Sequence, residues 1–338
     1  MVRQITAQPD VIGILESVYR VDQARDGWVD DVLRAVDASL GMGIGVGAVL
    51  YRLGDGEAVD VEAISGVGIS DAWHQVGVAL HADPEIAGAL NHCYRVWPLC
   101  GTFLELLPLT TANEQQRRKV IEIYTRHGVS DQLIVHARES SGVGVSLLVF
   151  ADQPIQLAPH ETQLLELVAT HLSTAYRLHR RLQSKVQEHP PTIEAILDER
   201  GRVAHAETAA HAPAAREQLG DAVRLREWAQ GRIRHETPAR AIEAWKGLVN
   251  ARWTLVDQLE SDGKRYILAR KNAPAPRAGA GLSQREREVA ALAALHRSNK
   301  VIAYELGIAH STVRVLLKRA CEKLGVQSRA ELIEKLGP

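Results

Sequence analysis

The segment from Leu282 to Leu336 limits the possible fold more than any other part of this 338-residue chain. It reads as four short helices with start and stop signals at their boundaries. Ser283-Gln284-Arg285-Glu286 is a capping box, in which a hydroxyl and a carboxylate satisfy the first free N–H groups of a helix. A second helix is predicted from Ser298 or Asn299 to Gly307, where glycine suits a left-handed C-cap.

A third, basic helix is predicted from Ser311 to Leu324, and a second capping box over Ser328–Glu331 opens the fourth. Only a short turn separates Gly307, at the end of the second helix, from Ser311, at the start of the third. Two helices joined by a turn of this kind form a helix-turn-helix, whose second helix enters the DNA major groove. The predicted buried stripe of the third helix is Val313, Leu317, Ala320 and Leu324. Its opposite side carries Arg314, Val315, Lys318 and Glu322. Taken alone, this helix is equally consistent with a surface helix whose charges are simply solvated.

The whole segment closely resembles the LuxR/GerE-type DNA-binding domain of bacterial transcription regulators. The matching stretches are Leu282–Val289, Ser298–Gly307, Ser311–Arg314, Glu322–Val326 and Ser328–Leu332. The resemblance implies a homodimer on double-stranded DNA, with Arg314, Val315 and Lys318 facing bases. It also implies that Lys300 and Thr312 lie near phosphate and that Glu286 is a scaffold acid. The full predicted DNA-binding set is Lys300, Ser311, Thr312, Arg314, Val315, Lys318, Arg319 and Lys323.

The segment departs from the family pattern in four places. The usual Gly before the second helix is replaced in the stretch His296-Arg297, Val301 stands where an acid is usual, and Leu316 stands where His is common. Ala309 occupies the usual Ser N-cap position of the third helix, so a cap from Ser311 is expected instead. These differences bear on the DNA sequence that is read and leave the groove-facing cations in place.

Charge and composition fit a multidomain α+β regulator. The net charge is −8 over residues 1–189, +3 over 190–281 and +4 over 282–338, and a basic tail on an acidic body suits a DNA reader. We predict domains over 1–189, 190–272 and 282–338, with a Pro- and Gly-containing linker at 273–281 that lets the reader move. No apolar run reaches the length of a membrane span and no signal-peptide core is present, so a cytoplasmic location without membrane contact is expected.

Residues 1–189 are predicted to form an antiparallel sheet with helices and resemble a GAF-type sensory domain. Predicted helices are Val11–Tyr19, Trp28–Leu40, Pro84–Cys93, Asn113–His127 and one after Pro159. Predicted strands are Gly43–Tyr51, Val59–Gly66, Gln132–Arg138 and Val143–Phe150, with Gly101–Leu109 extended and a turn at Asp55-Gly56. The entry to the second hairpin, His127–Gln132, adds to the resemblance.

GAF-like folds often bind a small ligand on the sheet, and the resemblance makes Trp73, Tyr94, Trp97 and Phe103 candidate ligand contacts, with His74 and Arg95 nearby. Aromatic residues are more often part of a core, which is the favoured alternative. His92, Cys93 and Cys100 lack the spacing of a compact zinc site, so no metal or other cofactor is expected.

The helix predicted from Pro159 to Glu188 carries a seven-residue apolar repeat over Leu165, Val168, Leu172, Ala175, His179, Leu182 and Val186. Two interpretations are open: a parallel coiled coil that joins two copies, or a terminal helix packed on its own chain.

Residues 190–272 are similar to a short PAS-like α/β module. Strands are predicted at Thr192–Leu197 and Val203–Glu207, and a hairpin joins Arg252–Glu260 to Lys264–Lys271 through Ser261–Gly263. Helical stretches are predicted at Thr208–Leu219, interrupted by Pro213, and at Ala239–Asn250. A local basic cluster, read as a solvated helix face, comprises Arg224, Arg226, Arg232 and Arg234.

The predicted function is transcription regulation, with signals sensed upstream controlling how two reader domains are presented to DNA. No enzyme motif is recognised, since a phosphate-binding loop and a nucleophile elbow are both missing. The alternative is a protein-interaction adaptor whose tail docks a partner such as RNA polymerase without reading DNA. Steep loss of DNA affinity with salt would separate the two.

Overall fold

A computed structural model describes residues 5, 9–54, 59–69, 77, 80, 84–110, 114–139, 141–183, 192–245, 247–249, 252–259, 265–272 and 281–336. The chain forms two compact units. The first is built on Asp26–Ser173, and the second combines Asp10–Arg25 with Thr174–Gly337. The predicted linker lies outside the described residues except for Gly281, as do Trp73, His74 and the two predicted hairpin turns at Asp55-Gly56 and Ser261–Gly263. The domain boundaries inferred from sequence stay a prediction.

The secondary structure is mixed and runs in the following order. The helices are α1 (Val11–Val18), α2 (Arg25–Leu40), α3 (Pro84–Val96), α4 (Phe103–Thr110), α5 (Glu114–Arg126), α6 (Pro159–Gln183), α7 (Pro213–Gln230), α8 (Ile233–Glu236), α9 (Pro238–Ala244), α10 (Gln284–Ala294), α11 (Asn299–Leu306), α12 (His310–Leu324) and α13 (Arg329–Leu336). The strands are β1 (Gly43–Leu53), β2 (Val59–Val67), β3 (Cys100–Thr102), β4 (Asp131–Arg138), β5 (Val143–Ala151), β6 (Ile193–Asp198), β7 (Val203–Ala206), β8 (Leu248–Val249), β9 (Trp253–Leu259) and β10 (Arg265–Lys271).

The first unit contains an antiparallel sheet with strand order β2-β1-β5-β4-β3. The two predicted strand pairs, β1 with β2 and β4 with β5, are both formed. Strand β1 lies between β2 and β5, so that Val49 pairs with Ile64 on one side and with Ser146 on the other. Every residue of β4 is buried, which agrees with a strand that has neighbours on both edges.

The prediction of an extended segment over Gly101–Leu109 is wrong beyond residue 102. Strand β3 ends at Thr102 and helix α4 begins at Phe103. Thr102 and Glu105 form a capping box: the Glu105 N–H donates to Thr102 Oγ1 and the Thr102 N–H donates to Glu105 Oε2, each at 3.3 Å. The carboxylate of Asp131 accepts a further bond from the N–H of Leu104, at 3.1 Å. These acceptors satisfy backbone N–H groups in the first turn of α4. A helix therefore begins here, although the apolar run alone predicts a strand.

Helix α6 packs on its own chain. Leu165, Val168, Leu172, Ala175 and His179 are all buried within the single chain. These side chains are therefore not available to pack against a second copy, and the coiled-coil interpretation is wrong for these five positions. The predicted continuation to Glu188, with Val186, lies outside the described residues.

The second unit contains an antiparallel sheet with strand order β7-β6-β10-β9-β8. The predicted hairpin is present as β9 and β10, and Trp253, Leu255 and Ile267 are in its core. Pro213 does not interrupt a helix but begins α7, since its fixed φ and missing N–H suit the first helical position. The helix predicted over Ala239–Asn250 ends instead at Ala244, where Trp245 turns the chain into an extended conformation that leads to β8.

The basic cluster of this unit is not the solvated helix face that its sequence indicates. Arg226 is fully buried, with its guanidinium 4.7 Å from the centre of the Trp245 ring. Arg234 is paired with Asp10 at 2.6 Å and with Glu16 at 3.2 Å. Arg224 and Arg232 are the exposed members. Two of the four arginines therefore contact other residues of the unit, Arg226 fully buried and Arg234 half-buried.

Candidate nucleic-acid interface

Helices α10 and α11 begin at the caps that the sequence predicts. The Glu286 N–H donates to Ser283 Oγ at 3.3 Å, and Glu286 Oε2 accepts from the Ser283 N–H at 2.7 Å. Ser298 caps α11 by accepting from the N–H of Val301 at 3.3 Å, and Gly307 ends that helix with a φ of 63°. These contacts fix the first helix of the predicted helix-turn-helix pair.

Helix α12 begins one residue earlier than predicted and has no side-chain cap. Its N-cap is Ala309, in an extended conformation, and Ser311 lies inside the helix. The expected cap from Ser311 is therefore wrong. A missing N-cap side chain lowers helix stability by about 1 kcal/mol. At the other end Gly325 adopts a φ of 69°, as a left-handed C-cap requires.

Helix α12 presents a polar, basic face to solvent and an apolar face to its domain. Val313 and Ala320 are buried, and Leu317 and Leu324 are half-buried against the same core. The exposed side includes Ser311, Thr312, Arg314, Val315, Lys318 and Arg319. Val315 is 49 % exposed. Two cations one turn apart beside an exposed valine can contact guanine edges and a thymine methyl.

The other predicted DNA-binding cations differ in their surroundings. Lys300 is exposed in the first turn of α11. Lys323 Nζ lies 2.6 Å from the carboxylate of buried Glu286, so this ammonium joins α12 to α10. Arg329, which is outside the predicted DNA-binding set, donates to Asn299 Oδ1 at 2.9 Å and thereby joins α13 to α11. Ion pairs and hydrogen bonds behind the exposed face therefore join the helices that carry the predicted DNA contacts.

Residues 280–336 match the model of a family described as bacterial regulatory proteins of the luxR family. This segment is a LuxR-family DNA-binding domain. The family is one of regulators and not of enzymes. No curated protein matches the chain significantly. Within the described part of the chain, no helix is long and apolar enough to span a membrane.

Two solved structures of SdiA align with much of the chain. Escherichia coli SdiA covers 86 % of this chain, and 81 % of its own length, at 11 % identity and a TM-score of 0.28. SdiA in complex with octanoyl-rac-glycerol covers 94 % of this chain and 86 % of its own, at the same identity and TM-score. A likeness this low carries no argument about the upstream fold or its ligands.

The LuxR-family domain contains a carboxylate that makes its stability depend on pH. The Lys323 ammonium and the Ser283 N–H donate to Glu286 and lower its pKa from 4.5 to about 2. The stabilisation is therefore complete above pH 4.5 and is lost as the pH falls towards about 2. We expect Glu286→Gln to destabilise the full chain near neutral pH, and the difference from wild type to shrink below pH 4.5.

Urea unfolding followed by circular dichroism over this pH range measures that difference. Glu334→Gln is the control, because it removes an exposed carboxylate from the same domain and is expected to change stability little. A Glu286→Gln difference that stays constant from neutral to acid pH would contradict the role of the ionised Glu286 carboxylate.

The LuxR-family domain is joined to the rest of the second unit through α11. The Tyr304 hydroxyl donates to the carbonyl oxygens of Ile242, at 2.9 Å, and Trp245, at 3.2 Å. Burial raises the pKa of Tyr304 well above its usual value, and nearby Tyr19 and Glu243 raise it further. We call the contact of Tyr304 with Ile242 and Trp245 the α11 junction. Sequence reasoning missed it because the partners of Tyr304 are backbone atoms about sixty residues away.

The surroundings of Trp245 connect two further elements, α7 and α1, to the α11 junction. Arg226 of α7 lies over its ring, and the Tyr19 ring centre, just after α1, is 6.4 Å from that of Trp245. Next to Tyr304, a carboxylate oxygen of Glu305 is buried without a hydrogen-bond partner among the described residues. Burial raises the pKa of Glu305, while Arg297 and Arg177 oppose the shift. A polar group left unsatisfied in this way lowers the stability of the packing around the α11 junction.

The candidate ligand contacts of the first unit lie in its core. Phe103 stacks on Tyr124 with ring centres 4.4 Å apart, and Tyr94 is 4.4 Å from Tyr51. Trp97 is likewise buried, and its ring centre is 6.0 Å from that of His136. These positions favour the core interpretation, and ligand contact by these three residues stays a prediction. Within the described ranges, no three His, Cys, Asp or Glu side chains are grouped as metal ligands.

Proposed function

We propose that this protein is a transcription regulator whose upstream modules control the access of its LuxR-family domain to double-stranded DNA. The observation that carries the proposal is the exposed face of α12, where Arg314, Val315 and Lys318 stand opposite buried Val313 and Ala320. A helix held in this manner can enter a major groove without disturbing its own core.

The α11 junction is the proposed point of control. In a helix-turn-helix the first helix crosses the phosphate backbone, and here that helix is α11. Lys300, a predicted phosphate contact, lies four residues before Tyr304, so the two side chains share one helix face. The exposed carboxylate of Glu243, close to Tyr304, would repel phosphate there. A module docked on this face therefore hinders the binding of DNA. A signal that releases the module would permit DNA binding.

The regulator is proposed to act as a homodimer on two half-sites. The charge of +4 on residues 282–338 gives one domain only modest attraction to phosphate, whereas two linked domains bind with a much higher effective concentration. We further propose that the first unit binds a small ligand and that the regulator contacts RNA polymerase on the promoter.

Fluorescence anisotropy with genomic fragments selected by the full chain tests the proposal. We expect affinity to fall steeply as salt rises from about 50 to 200 mM, because each phosphate contact releases condensed counterions. Binding to RNA polymerase with no salt-sensitive affinity for DNA would favour the adaptor function instead.

A further inference from the structure

The segment Asp10–Arg25 belongs to the second unit, although the chain on both sides of it belongs to the first. Pro9, directly before the segment, and Asp26, directly after it, are both residues of the first unit. The segment contains α1, whose apolar side chains are buried. We call Asp10–Arg25 the α1 segment. Because the chain is continuous at both ends, a displacement of the first unit acts directly on the α1 segment.

Two carboxylates of the α1 segment are bound by one arginine of α8. The Arg234 guanidinium donates from Nε and Nη2 to the two carboxylate oxygens of Asp10, at 2.7 and 2.6 Å. Its Nη1 donates to Glu16 at 3.2 Å, and Gln230, the last residue of α7, donates to the other oxygen of Glu16 at 2.9 Å. A bidentate arginine–carboxylate pair fixes orientation as well as distance. These bonds therefore hold α1 against α7 and α8.

The other end of α1 packs on Trp245, whose carbonyl oxygen is an acceptor in the α11 junction. Tyr19, the C-cap of α1, is buried with its ring centre 6.4 Å from that of Trp245. A Cβ added to Gly247 would lie 2.8 Å from the Tyr19 ring and 2.9 Å from Trp245 Nε1, so the three residues are closely packed. Helix α9, which carries the second acceptor, Ile242, also packs against α1. Both acceptors of Tyr304 therefore lie on parts of the chain that the α1 segment supports.

The end of the α1 segment is bonded to α6. His179 Nδ1 donates to the carbonyl oxygen of Val21 at 3.0 Å, and Gln183 Nε2 donates to that of Gln23 at 2.7 Å. Both donors lie in the last part of α6, which belongs to the second unit, whereas α6 begins in the first. The α1 segment and α6, which both continue into the first unit, are therefore bonded to each other beside the α11 junction.

We propose that the α1 segment positions Trp245 for the α11 junction and that the first unit controls DNA binding by shifting this segment. The segment does not have to leave its site. A hydrogen bond is lost once its donor and acceptor lie more than about 3.5 Å apart, so a small displacement of Trp245 is enough to weaken the junction. The inference rests on the proposed function, in which the α11 junction restrains the LuxR-family domain. It identifies Asp10, Tyr19 and Arg234 as positioning residues.

Asp10→Ser combined with Glu16→Gln tests the inference in the full chain. Serine keeps an oxygen that can accept from the N–H of Gly13 at the N-cap, and glutamine keeps an acceptor for Gln230, so α1 loses its ion pairs but not its cap. We expect faster hydrogen exchange over Pro238–Ala244 and DNA binding that is about fivefold tighter by anisotropy. The reason is that a weaker docked arrangement raises the fraction of molecules competent to bind.

Lys271→Gln is the matched control. It removes an ion pair of the same unit, formed with Glu194 at 3.2 Å, which joins β10 to β6. Its DNA affinity and its exchange over Pro238–Ala244 should equal those of wild type. Tyr19→Leu is a second test variant that leaves the ion pairs in place. It removes the ring packed on Trp245 and should change both measurements in the same direction as the first variant.

Two results would overturn the inference. One is unchanged hydrogen exchange over Pro238–Ala244 in the two α1 variants, whether or not the protein binds DNA. The other is unchanged or weaker DNA binding by both α1 variants when Tyr304→Phe binds more tightly, a result that leaves control at the α11 junction standing. The proposed function itself fails if the full chain has no salt-sensitive affinity for DNA, and the exchange measurement then still tests the role of the α1 segment.

Discussion

Replacing Arg314 with alanine is expected to weaken binding of the full chain to its cognate DNA by about 1–3 kcal/mol, roughly 5- to 150-fold. The side chain is exposed on α12 beside Val315, and α12 is uncapped by any side chain, so the substitution would remove the proposed groove contact without removing a cap. Lys318→Ala is expected to act in the same direction. Anisotropy at fixed salt, with cognate and base-substituted duplexes, measures both affinity and the loss of discrimination.

Arg285→Ala is the matched control for this prediction. Arg285 is an exposed arginine of the same domain, paired with Glu288 of its own helix at 2.8 Å. Its removal changes the domain charge equally but leaves α12 intact, so only a small loss of affinity is expected. Equal losses for Arg285→Ala and Arg314→Ala would show that total charge, and not the α12 face, determines binding.

Tyr304→Phe is expected to raise the affinity of the full chain for DNA by up to about 1–3 kcal/mol. The phenylalanine ring keeps the packing but leaves the carbonyl oxygens of Ile242 and Trp245 without the Tyr304 hydroxyl as donor. The loss destabilises the docked arrangement by about that amount, whereas water satisfies the same groups after release. Since DNA is expected to bind only the released form, the equilibrium shifts towards binding.

Tyr266→Phe provides the comparison, because Tyr266 is a half-buried tyrosine of β10 within the same unit. It should leave DNA affinity unchanged. Hydrogen exchange over Pro238–Ala244 reports on the junction directly, and the Tyr304→Phe variant should exchange faster there. Weaker DNA binding by Tyr304→Phe would mean that the α11 junction supports the reader instead of restraining it.

The sequence predicts those features that depend on neighbouring residues. The capping box at Ser283 and the left-handed glycine at Gly307 follow from groups within one helical turn. The capping box at Thr102 obeys the same chemistry but was hidden, because the apolar residues that follow it suit a strand equally well. Local signals are therefore informative wherever an independent cue separates helix from strand.

The features that were not predicted depend on contacts between distant parts of the chain. Arg234 meets Asp10 across 224 positions, and Tyr304 meets the carbonyl of Ile242 across 62. Composition gives no sign that one arginine of a cluster is buried over Trp245 while another remains in water. The burial of Leu165 and Leu172 likewise depends on packing, since the same seven-residue repeat would serve a coiled coil.

The α11 junction has a thermodynamic consequence for sensing. If a ligand favours the released arrangement and so raises DNA affinity by some factor, DNA must raise the affinity for that ligand by the same factor. Molecules already on an operator would therefore respond to lower ligand concentrations than molecules free in solution. As the ligand concentration declines, molecules on the promoter would then keep their ligand longer than molecules free in solution.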